Sequence, residues 1–277
     1  MTPRISVIMG IYNCADTLAE ALDSLLNQTF QDFEVIMCDD GSKDNTYTVA
    51  QEYAARWPER FVLLQNEQNL GLNKTLNRCL VAARGEYIAR MDGDDISLSE
   101  RFQKEVDALD ANPEYAVVST PMIYFDQNGD WKTGTAIEYP TKRDFIGRAP
   151  FFCHAPCMIR KKVFLEVGGY SEDPRTLRFE DCNLWFKIYA RGYKGFNLQQ
   201  PLYKMRDDAN AFKRRTLKSR MNASYVVYSG FRLLHMPWYT YGYVAYEFLK
   251  NIALGIIPQK LYMILHKKKQ SRWAKRR

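Results

Sequence analysis

The sequence has few of the features that mark secreted proteins, domains stabilised by a structural metal, or repeat proteins. Its six cysteines are scattered without a C-x-x-C pair, and the chain has no internal repeat and no low-complexity linker. Ile5–Ile8 predicts a buried first strand rather than the apolar core of a signal peptide. We therefore expect reduced cysteines in a cytosol-facing protein. Cys153, His154 and Cys157 lie close together, but a fourth ligand at customary spacing is missing, so a zinc site is not expected.

The carboxy-terminal part of the chain lacks acids. Residues 210–277 contain 15 lysines and arginines but only one acid, Glu247, which gives a net charge of +14. The first 209 residues carry a net charge of −7. This asymmetry predicts two parts, an acidic domain over residues 1–209 and a basic, aromatic-rich helical extension over residues 210–277.

Apolar strand-like runs alternate with helix-period runs through the first hundred residues. The runs RISVIMGIY, FEVIMCDDGS, FVLLQN and EYIARMDGDD predict strands, and amphipathic segments lie between them. We expect Asp16 to cap the first helix, a further helix over Ser97–Ala111, and a hairpin turn at Asn128–Gly129. Repeated β-α-β units predict an α/β fold with a mixed, mostly parallel sheet and helices on both faces.

Acidic residues follow two of these strands. Ligands of such sheets gather beyond the carboxyl ends of the strands, and Gly10–Asn13, Asp39–Ser42 and Asp92–Asp95 are all predicted at that edge. Carboxylates crowded together repel one another unless a cation or a hydrogen-bond donor holds them. A second acidic cluster, Phe179–Asp181, opens a helix and is placed to supply a base to the same crevice. A cation site and a base together indicate transfer of a group from a nucleotide-activated donor.

Five motifs in this order, SVIMGIYN, DDGS, NLGLNKTLN, MDGDD and FEDCNLW, resemble those of family 2 of the inverting glycosyltransferases. The resemblance spans roughly residues 4–206. It implies the Rossmann-like GT-A fold. It also implies an enzyme that transfers a sugar from a nucleotide-sugar donor, most simply a UDP-hexose, with the help of Mn²⁺ or Mg²⁺.

The resemblance assigns several residues to the donor. Asp40, beside Asp39, is expected to accept a hydrogen bond from the uracil imide, although D-D-G-S is also good turn chemistry. Gly10 and Tyr12 are expected to flank the base. Lys74, one turn into a helix, is expected to offset the diphosphate charge, and a solvated surface lysine is the alternative.

The D-G-D-D run resembles the family's DxD element, which comprises here Asp92, Asp94 and Asp95. Asp94 is the expected direct metal ligand, and Asp92 is expected to contact the ribose or complete the metal shell. Hard divalent ions bind through one or two carboxylates plus substrate phosphates, so few protein ligands are needed. Gly93 would let the backbone approach the ribose or a phosphate closely.

Asp181 is the expected general base, and Glu180 is expected to orient the acceptor or support Asp181. Either acid alone also suits an ordinary helix N-terminus. The family usually has an aromatic residue and an acid after this pair, whereas Cys182 and Asn183 follow here, which leaves the acceptor contacts open. Two further side chains have a role open between substrate contact and structure: His154 and Arg178.

The aromatic-rich run Trp238–Ile257 is interrupted by Glu247 and Lys250, so it favours an interfacial helix rather than a spanning one. Basic residues follow it, and they favour an anionic membrane surface over nucleic acid as the partner. We therefore expect a peripheral protein on the cytoplasmic face of the inner membrane. A polyprenyl-diphosphate-linked saccharide of capsule, exopolysaccharide or O-antigen synthesis is the acceptor that suits this position.

Two other functions remain open at this point. A polyprenyl-phosphate glycosyltransferase has an acceptor that is already anionic, so its reaction would survive an Asp181→Asn change. A membrane-bound carbohydrate-binding protein without catalytic activity would not hydrolyse UDP-sugars in the presence of metal.

Overall fold

The computed structural model describes residues 2–147, 151–206 and 216–256. These residues form two compact units. The first unit holds the described residues up to Glu172 and those from Glu180 to Arg206, and the second holds Asp173–Phe179 and residues 216–256. The predicted boundary between residues 209 and 210 lies outside the described residues, so the domain division stays a prediction.

Two sheets form the framework of the first unit. A seven-stranded sheet has the order β10-β6-β9-β4-β1-β2-β3, and a four-stranded sheet has the order β5-β11-β7-β8. The strands are β1 (Ile5–Ile11), β2 (Phe33–Asp39), β3 (Phe61–Gln65), β4 (Tyr87–Arg90), β5 (Ile96–Ser97), β6 (Tyr115–Ser119), β7 (Met122–Asp126), β8 (Gly129–Thr133), β9 (Met158–Arg160), β10 (Lys194–Asn197) and β11 (Tyr203–Arg206).

The large sheet is mostly parallel, as predicted, and only β9 runs antiparallel to its two neighbours. The helices of this unit are α1 (Ala15–Leu26), α2 (Thr46–Arg56), α3 (Leu72–Ala82), α4 (Arg101–Ala111), α5 (Lys161–Glu166) and α6 (Glu180–Ala190). Alternation along β1 separates the two faces. Met9 shares a buried cluster with Leu22 of α1. A Cβ atom on the neighbouring Gly10 would lie 3.1 Å from Leu72 of α3. The expected α/β fold with helices on both faces is confirmed.

The central strands end at one common edge. β1 pairs in parallel with both β2 and β4, with Ile11 opposite Asp39 and Ile8 opposite Arg90. The segments that follow these three strands therefore emerge side by side. The expected hairpin is also present, because β7 and β8 pair in antiparallel fashion around Asn128 and Gly129.

The predicted helix over Ser97–Ala111 begins too early. Ile96 and Ser97 form β5, in which Ser97 lies opposite Tyr203 of β11, and α4 starts only at Arg101. The Gln28 amide also donates hydrogen bonds to the carbonyl oxygen of Ser97 at 3.3 Å and to that of Leu98 at 2.8 Å. Tertiary pairing here overrides the helical pattern.

The predicted cap of α1 is wrong as well. The N-cap residue is Cys14, which makes no side-chain capping bond, and Asp16 lies in the first turn. A neighbouring loop replaces the cap, because Thr46 Oγ1 accepts the Cys14 N–H at 2.8 Å and Asp44 accepts the Ala15 N–H at 3.2 Å.

The second unit is helical. It contains α7 (Leu217–Leu233) and α8 (Tyr241–Ile256), joined by a single 3₁₀ turn at Trp238–Thr240. Asn251 of α8 donates to Ser224 of α7 at 3.0 Å. None of the helices in the described ranges combines the length and the apolar content that a membrane crossing needs. The basic tail from residue 257 onward lies outside the described residues.

Gly85 allows β4 to start against β1. Ser6 Oγ accepts the N–H groups of Arg84 and Gly85, and a Cβ atom at position 85 would lie 2.5 Å from the Ser6 nitrogen. We expect Gly85→Ala to lower the free energy of unfolding by about 2 kcal/mol, since overpacking forces the backbone to shift. Gly242→Ala, which has no atom within 4 Å of its new Cβ, is the matched control. Urea unfolding measures both, and equal effects would contradict the assignment.

Candidate active site

Asp40, directly after β2, fixes the loop that precedes α3. Its Oδ1 accepts hydrogen bonds from the Asn66 side chain at 2.7 Å and the Leu70 N–H at 2.8 Å, and its Oδ2 accepts the Gly71 N–H at 3.0 Å. The carboxylate is 4% exposed. Because a carboxylate offers about four acceptor positions, one position on Oδ2 remains for a further donor.

Asp39 and Gly41 shape the turn beside Asp40. Both Asp39 oxygens lie 3.3–3.4 Å from the Ser42 N–H, which is turn chemistry. Gly41 has a φ of +71°, and a Cβ atom there would lie 2.8 Å from the backbone of Gln68. Only glycine therefore lets the two loops of this edge approach so closely.

The other residues expected at the donor lie around this turn. Gly10 faces α3 from β1, and Tyr12, in the loop after β1, is 46% exposed. The Asn13 N–H donates to Ser42 Oγ at 3.1 Å, so the loops after β1 and β2 are tied together. Lys74 is exposed, on the third residue of α3. The structure thus brings Gly10, Tyr12, Asp39 and Asp40 to one edge.

Three aspartates form a cluster after β4. Oxygen atoms of Asp92, Asp94 and Asp95 all lie within 4.8 Å of one another. Gly93, between them, is buried, and a Cβ atom on it would lie 2.8 Å from the sulfur of Cys14. A set of three hard oxygen donors at this spacing fits a divalent ion such as Mg²⁺ or Mn²⁺.

Two of the three carboxylates have protein partners. Asp92 pairs with the buried guanidinium of Arg90. Asp95 accepts the Arg206 N–H at 2.8 Å. Within the described part of the chain, the Asp94 side chain has no donor from another residue. Asp94 is therefore the carboxylate that is most available to a ligand.

Burial and the repulsion of nearby carboxylates make Asp94 and Asp95 reluctant to ionise. Burial first, and then the charge of Asp92, raise the pKa of Asp94 above its ordinary value. Burial, together with the charges of Asp92 and Asp94, raises the pKa of Asp95 to about 8. A bound cation would reverse both effects, since an opposite charge nearby favours the ionised form.

Asp181 lies in the first turn of α6, next to Glu180. Its Oδ1 accepts the Cys182 N–H at 2.7 Å. Burial raises the pKa of Asp181, whereas the Arg90 charge opposes the rise. A carboxylate with a raised pKa is a stronger base than a solvated one, and it is still ionised near neutrality if the rise is moderate. Glu180 begins the same helix and is half-buried.

The imidazole ring of His154 is uncharged in this structure. Its Nε2 lies 2.7 Å from the Tyr170 hydroxyl, and its ring packs edge-on against Trp185. Burial, with a contribution from Arg90, keeps the pKa of His154 well below its ordinary value. Arg178 has a φ of +69° and belongs to the second unit.

Sequence reasoning missed the residues that organise the acids. Arg90 carried a visible signal, because it interrupts an otherwise apolar strand directly before the aspartates. Tyr203 and Arg206 carried none, since β11 is more than a hundred residues away in the chain. Asn66 and Asn77 hold loops rather than ligands, and their role becomes clear only from their contacts.

The sheet edge carries the aspartate cluster and the loop that Asp40 holds in place. This arrangement defines a GT-A glycosyltransferase, and solved structures share the fold. Residues 1–349 of TarS of Staphylococcus aureus, in complex with UDP-GlcNAc, align with a TM-score of 0.66 at 20% identity over 83% of this chain and 70% of that chain. The mannosyltransferase PcManGT of Pyrobaculum calidifontis, in complex with GDP-Man and Mn²⁺, aligns with a TM-score of 0.63 at 18% identity over 97% of this chain and 80% of that chain.

Residues 6–168 match the sequence profile described as glycosyl transferase family 2, and the chain belongs to this family. EpsE of Bacillus subtilis, a protein named as a glycosyltransferase, is 39% identical over 96% of this chain and 94% of its own length. The UDP-Gal:alpha-D-GlcNAc-diphosphoundecaprenol beta-1,3-galactosyltransferase of Escherichia coli is 30% identical over 94% of this chain and 92% of its own length.

The aspartate cluster predicts a stability that depends on pH when no divalent ion is present. The folded pKa of Asp95, about 8, lies above the ~3.9 of an unfolded aspartate, so the folded state binds more protons between these values and loses stability as the pH rises through them. In EDTA we expect the free energy of unfolding to fall by roughly 2 kcal/mol from pH 6 to pH 8. Urea unfolding measures this, and Asp95→Asn is the control. An equally steep fall in that variant would exclude Asp95 as the source.

Proposed function

We propose that this enzyme is a metal-dependent, inverting hexosyltransferase that moves a sugar from a UDP-sugar to a hydroxyl of a lipid-linked saccharide. The observation that carries the proposal is the common sheet edge. On it, the Asp40 loop lies at the end of β2, and the cluster of Asp92, Asp94 and Asp95 follows β4, with only β1 between the two strands. Ligands of such sheets bind beyond the carboxyl ends of the strands, so one nucleotide-sugar can contact both places.

The donor is assigned through the free acceptor position of Asp40. An imide N–H of uracil suits a carboxylate that only accepts hydrogen bonds, whereas a base presenting a lone pair would be repelled. Asp39, Gly10 and the exposed ring of Tyr12 adjoin this position and would enclose the base. Lys74, with a solvent-exposed ammonium on α3, is assigned to the donor diphosphate. The UDP-GlcNAc complex of TarS and the UDP-Gal donor named for the Escherichia coli relative support a UDP-sugar.

The metal is assigned to Asp94 and Asp92. The Asp94 carboxylate accepts the fewest contacts from other residues in the cluster. The Asp92 carboxylate is already held in an ion pair with Arg90. A divalent ion bound there would stabilise the negative charge of the departing UDP. Gly93, which has no side chain, leaves the backbone between the two acids open to the ribose or a phosphate. The Mn²⁺ complex of PcManGT supports an ion in this fold.

Asp181 is assigned as the general base. Its carboxylate takes the proton from the acceptor hydroxyl while that oxygen forms a bond to the anomeric carbon. The bond from this carbon to the UDP oxygen breaks on the opposite face, so one displacement inverts the carbon. UDP leaves with the electron pair, and Glu180 orients the acceptor. The neutral His154, hydrogen-bonded to Tyr170, is assigned a supporting role beside the donor.

Two variants separate the donor site from the base. We expect Asp94→Ala to lose Mn²⁺-dependent UDP binding, because the main metal ligand is gone.

Asp181→Asn should keep UDP affinity within about threefold and lose transfer by at least a hundredfold, in line with removal of a general base. Calorimetry with UDP and Mn²⁺ and a transfer assay on membrane extracts measure these effects. Unchanged binding in the first variant refutes the metal assignment, and transfer by the second favours a polyprenyl-phosphate acceptor.

The second unit is assigned to membrane attachment, with the extension over residues 210–277 as its sequence range. The solvent-facing side of α8 is apolar at intervals of three and four residues, namely Gly242, Ala245, Tyr246, Leu249, Ala253 and Ile256. The charged residues of α8, Glu247 and Lys250, pair with each other. Trp238, just before the helix, is 85% exposed. An apolar face with aromatic residues at its end is typical of a helix that lies in a bilayer interface.

The apolar face of α8 predicts that one charge introduced on it strongly weakens membrane binding. Burial of a leucine side chain contributes about 1.5–3 kcal/mol, so we expect Leu249→Glu to weaken binding to phosphatidylglycerol vesicles at least tenfold. Val81→Glu is the matched control, since Val81 is an 86% exposed apolar residue of the first unit. Vesicle sedimentation measures both. The same loss in both variants would contradict attachment through α8.

A further inference from the structure

The second unit has a cavity of about 570 Å³ whose lining is cationic and aromatic. It is formed by Arg175, Arg232 and His235, by the rings of Tyr225 and Tyr228, and by a serine and a leucine of α7. Among the described residues, no acidic side chain lines it. Neither the donor site nor the apolar face of α8 uses these residues, although they form one concave surface.

Arg175 is held in place from two sides. Its guanidinium lies 4.1 Å from the ring centre of Tyr225. Asp173 accepts hydrogen bonds from its Nε at 3.0 Å and from its Nη2 at 2.6 Å. The rigid arginine fork is thus oriented before any ligand arrives, which reduces the ordering that binding requires.

Arg232 supplies a cation that no acid neutralises within the described ranges. Its guanidinium lies 6.0 Å from the ring centre of Tyr228, and the side chain is exposed. Basic residues such as Arg232 and His235 are also favoured at the end of a helix because they complement its dipole. The helix dipole does not explain Arg175, which comes from a separate segment and contributes to the same cavity.

The cavity adjoins the region of the unit that is assigned to the bilayer. The rings of Tyr228 and Tyr241 lie 6.5 Å apart, and Tyr241 is the first residue of α8. The turn just before it exposes Trp238 and Tyr239. A ligand with an anionic head and a long apolar chain would find a cationic cavity and an apolar surface in neighbouring positions.

We propose that this cavity binds the diphosphate of a polyprenyl-diphosphate-linked acceptor. The proposal rests on the proposed function and deepens it, because it assigns the part of the acceptor that is not sugar. The fork of Arg232 can match phosphate oxygens in pairs, Arg175 adds the hydrogens of Nη1 because Asp173 engages its Nε and Nη2, and tyrosine hydroxyls donate to the remaining oxygens. The segment that contains Arg175 runs directly into α6, and five residues of chain separate Arg175 from Asp181.

Farnesyl diphosphate, a soluble probe with the same head group, tests the cavity in the full-length protein. Titrations are made in EDTA, so that no ion can recruit a diphosphate to the aspartate cluster. We expect wild type to bind the probe, Arg232→Gln to bind at least tenfold more weakly, and Arg175→Gln to be weakened as well. Arg191→Gln, an exposed arginine of the first unit, is the matched control and should bind normally.

Further titrations identify the source of the phosphate. Farnesol should not bind, inorganic diphosphate should bind more weakly than the probe, and phosphatidylglycerol vesicles should not compete with it. Equal binding by Arg232→Gln and wild type, or no binding by wild type at 1 mM probe, overturns the proposal. Full competition by vesicles makes the cavity a general lipid site and overturns it as well. Asp94→Ala should bind the probe normally, so a failure of the donor assignment remains distinguishable.

Discussion

The ion pair between Arg90 and Asp92 is the contact around which the site is organised. An arginine buried at the end of a core strand is costly unless an acid accompanies it, and removal of either partner from such a pair typically costs 3–5 kcal/mol. The first aspartate of the cluster is therefore required by the fold as well as by any ligand. The same cation opposes the rise that burial causes in the pKa of Asp181, and it helps to keep His154 neutral. One side chain of β4 thus influences the aspartate cluster, Asp181 and His154 together.

Neutral amides, rather than further charges, set the distance between the loops. Asn66 donates to Asp40 and to Thr75 Oγ1 at 3.0 Å, which fixes the donor loop against α3. On the next turns of the same helix, Asn77 accepts the Tyr170 N–H at 2.9 Å and donates to its carbonyl oxygen at 3.0 Å. An amide can both donate and accept, so it satisfies a backbone pair without adding charge to an already acidic site. α3 therefore positions the Asp40 loop and the segment around Tyr170 together.

The fold and the outline of the site were predictable because they follow from local patterns. Strand and helix periodicity predicted the parallel sheet, and the ends of its strands predicted where the acids would meet. The partners of those acids were not predictable. Arg206 and Tyr203 reach the cluster through β11, and a pairing over more than a hundred residues leaves no trace in local sequence. The same long-range pairing displaced the start of α4, since Ser97 joined a sheet instead of the helix.

The two parts of the chain carry opposite charge, and this constrains how the enzyme can meet a bilayer. A net −7 over residues 1–209 is repelled by an anionic surface, whereas the +14 of residues 210–277 is attracted to it. Each basic residue near the surface contributes about 1 kcal/mol, but only within a Debye length of roughly 8 Å at physiological salt. The apolar face of α8 adds a term that salt does not screen. The proposed attachment would combine both terms, and only the extension carries the net charge that an anionic surface attracts.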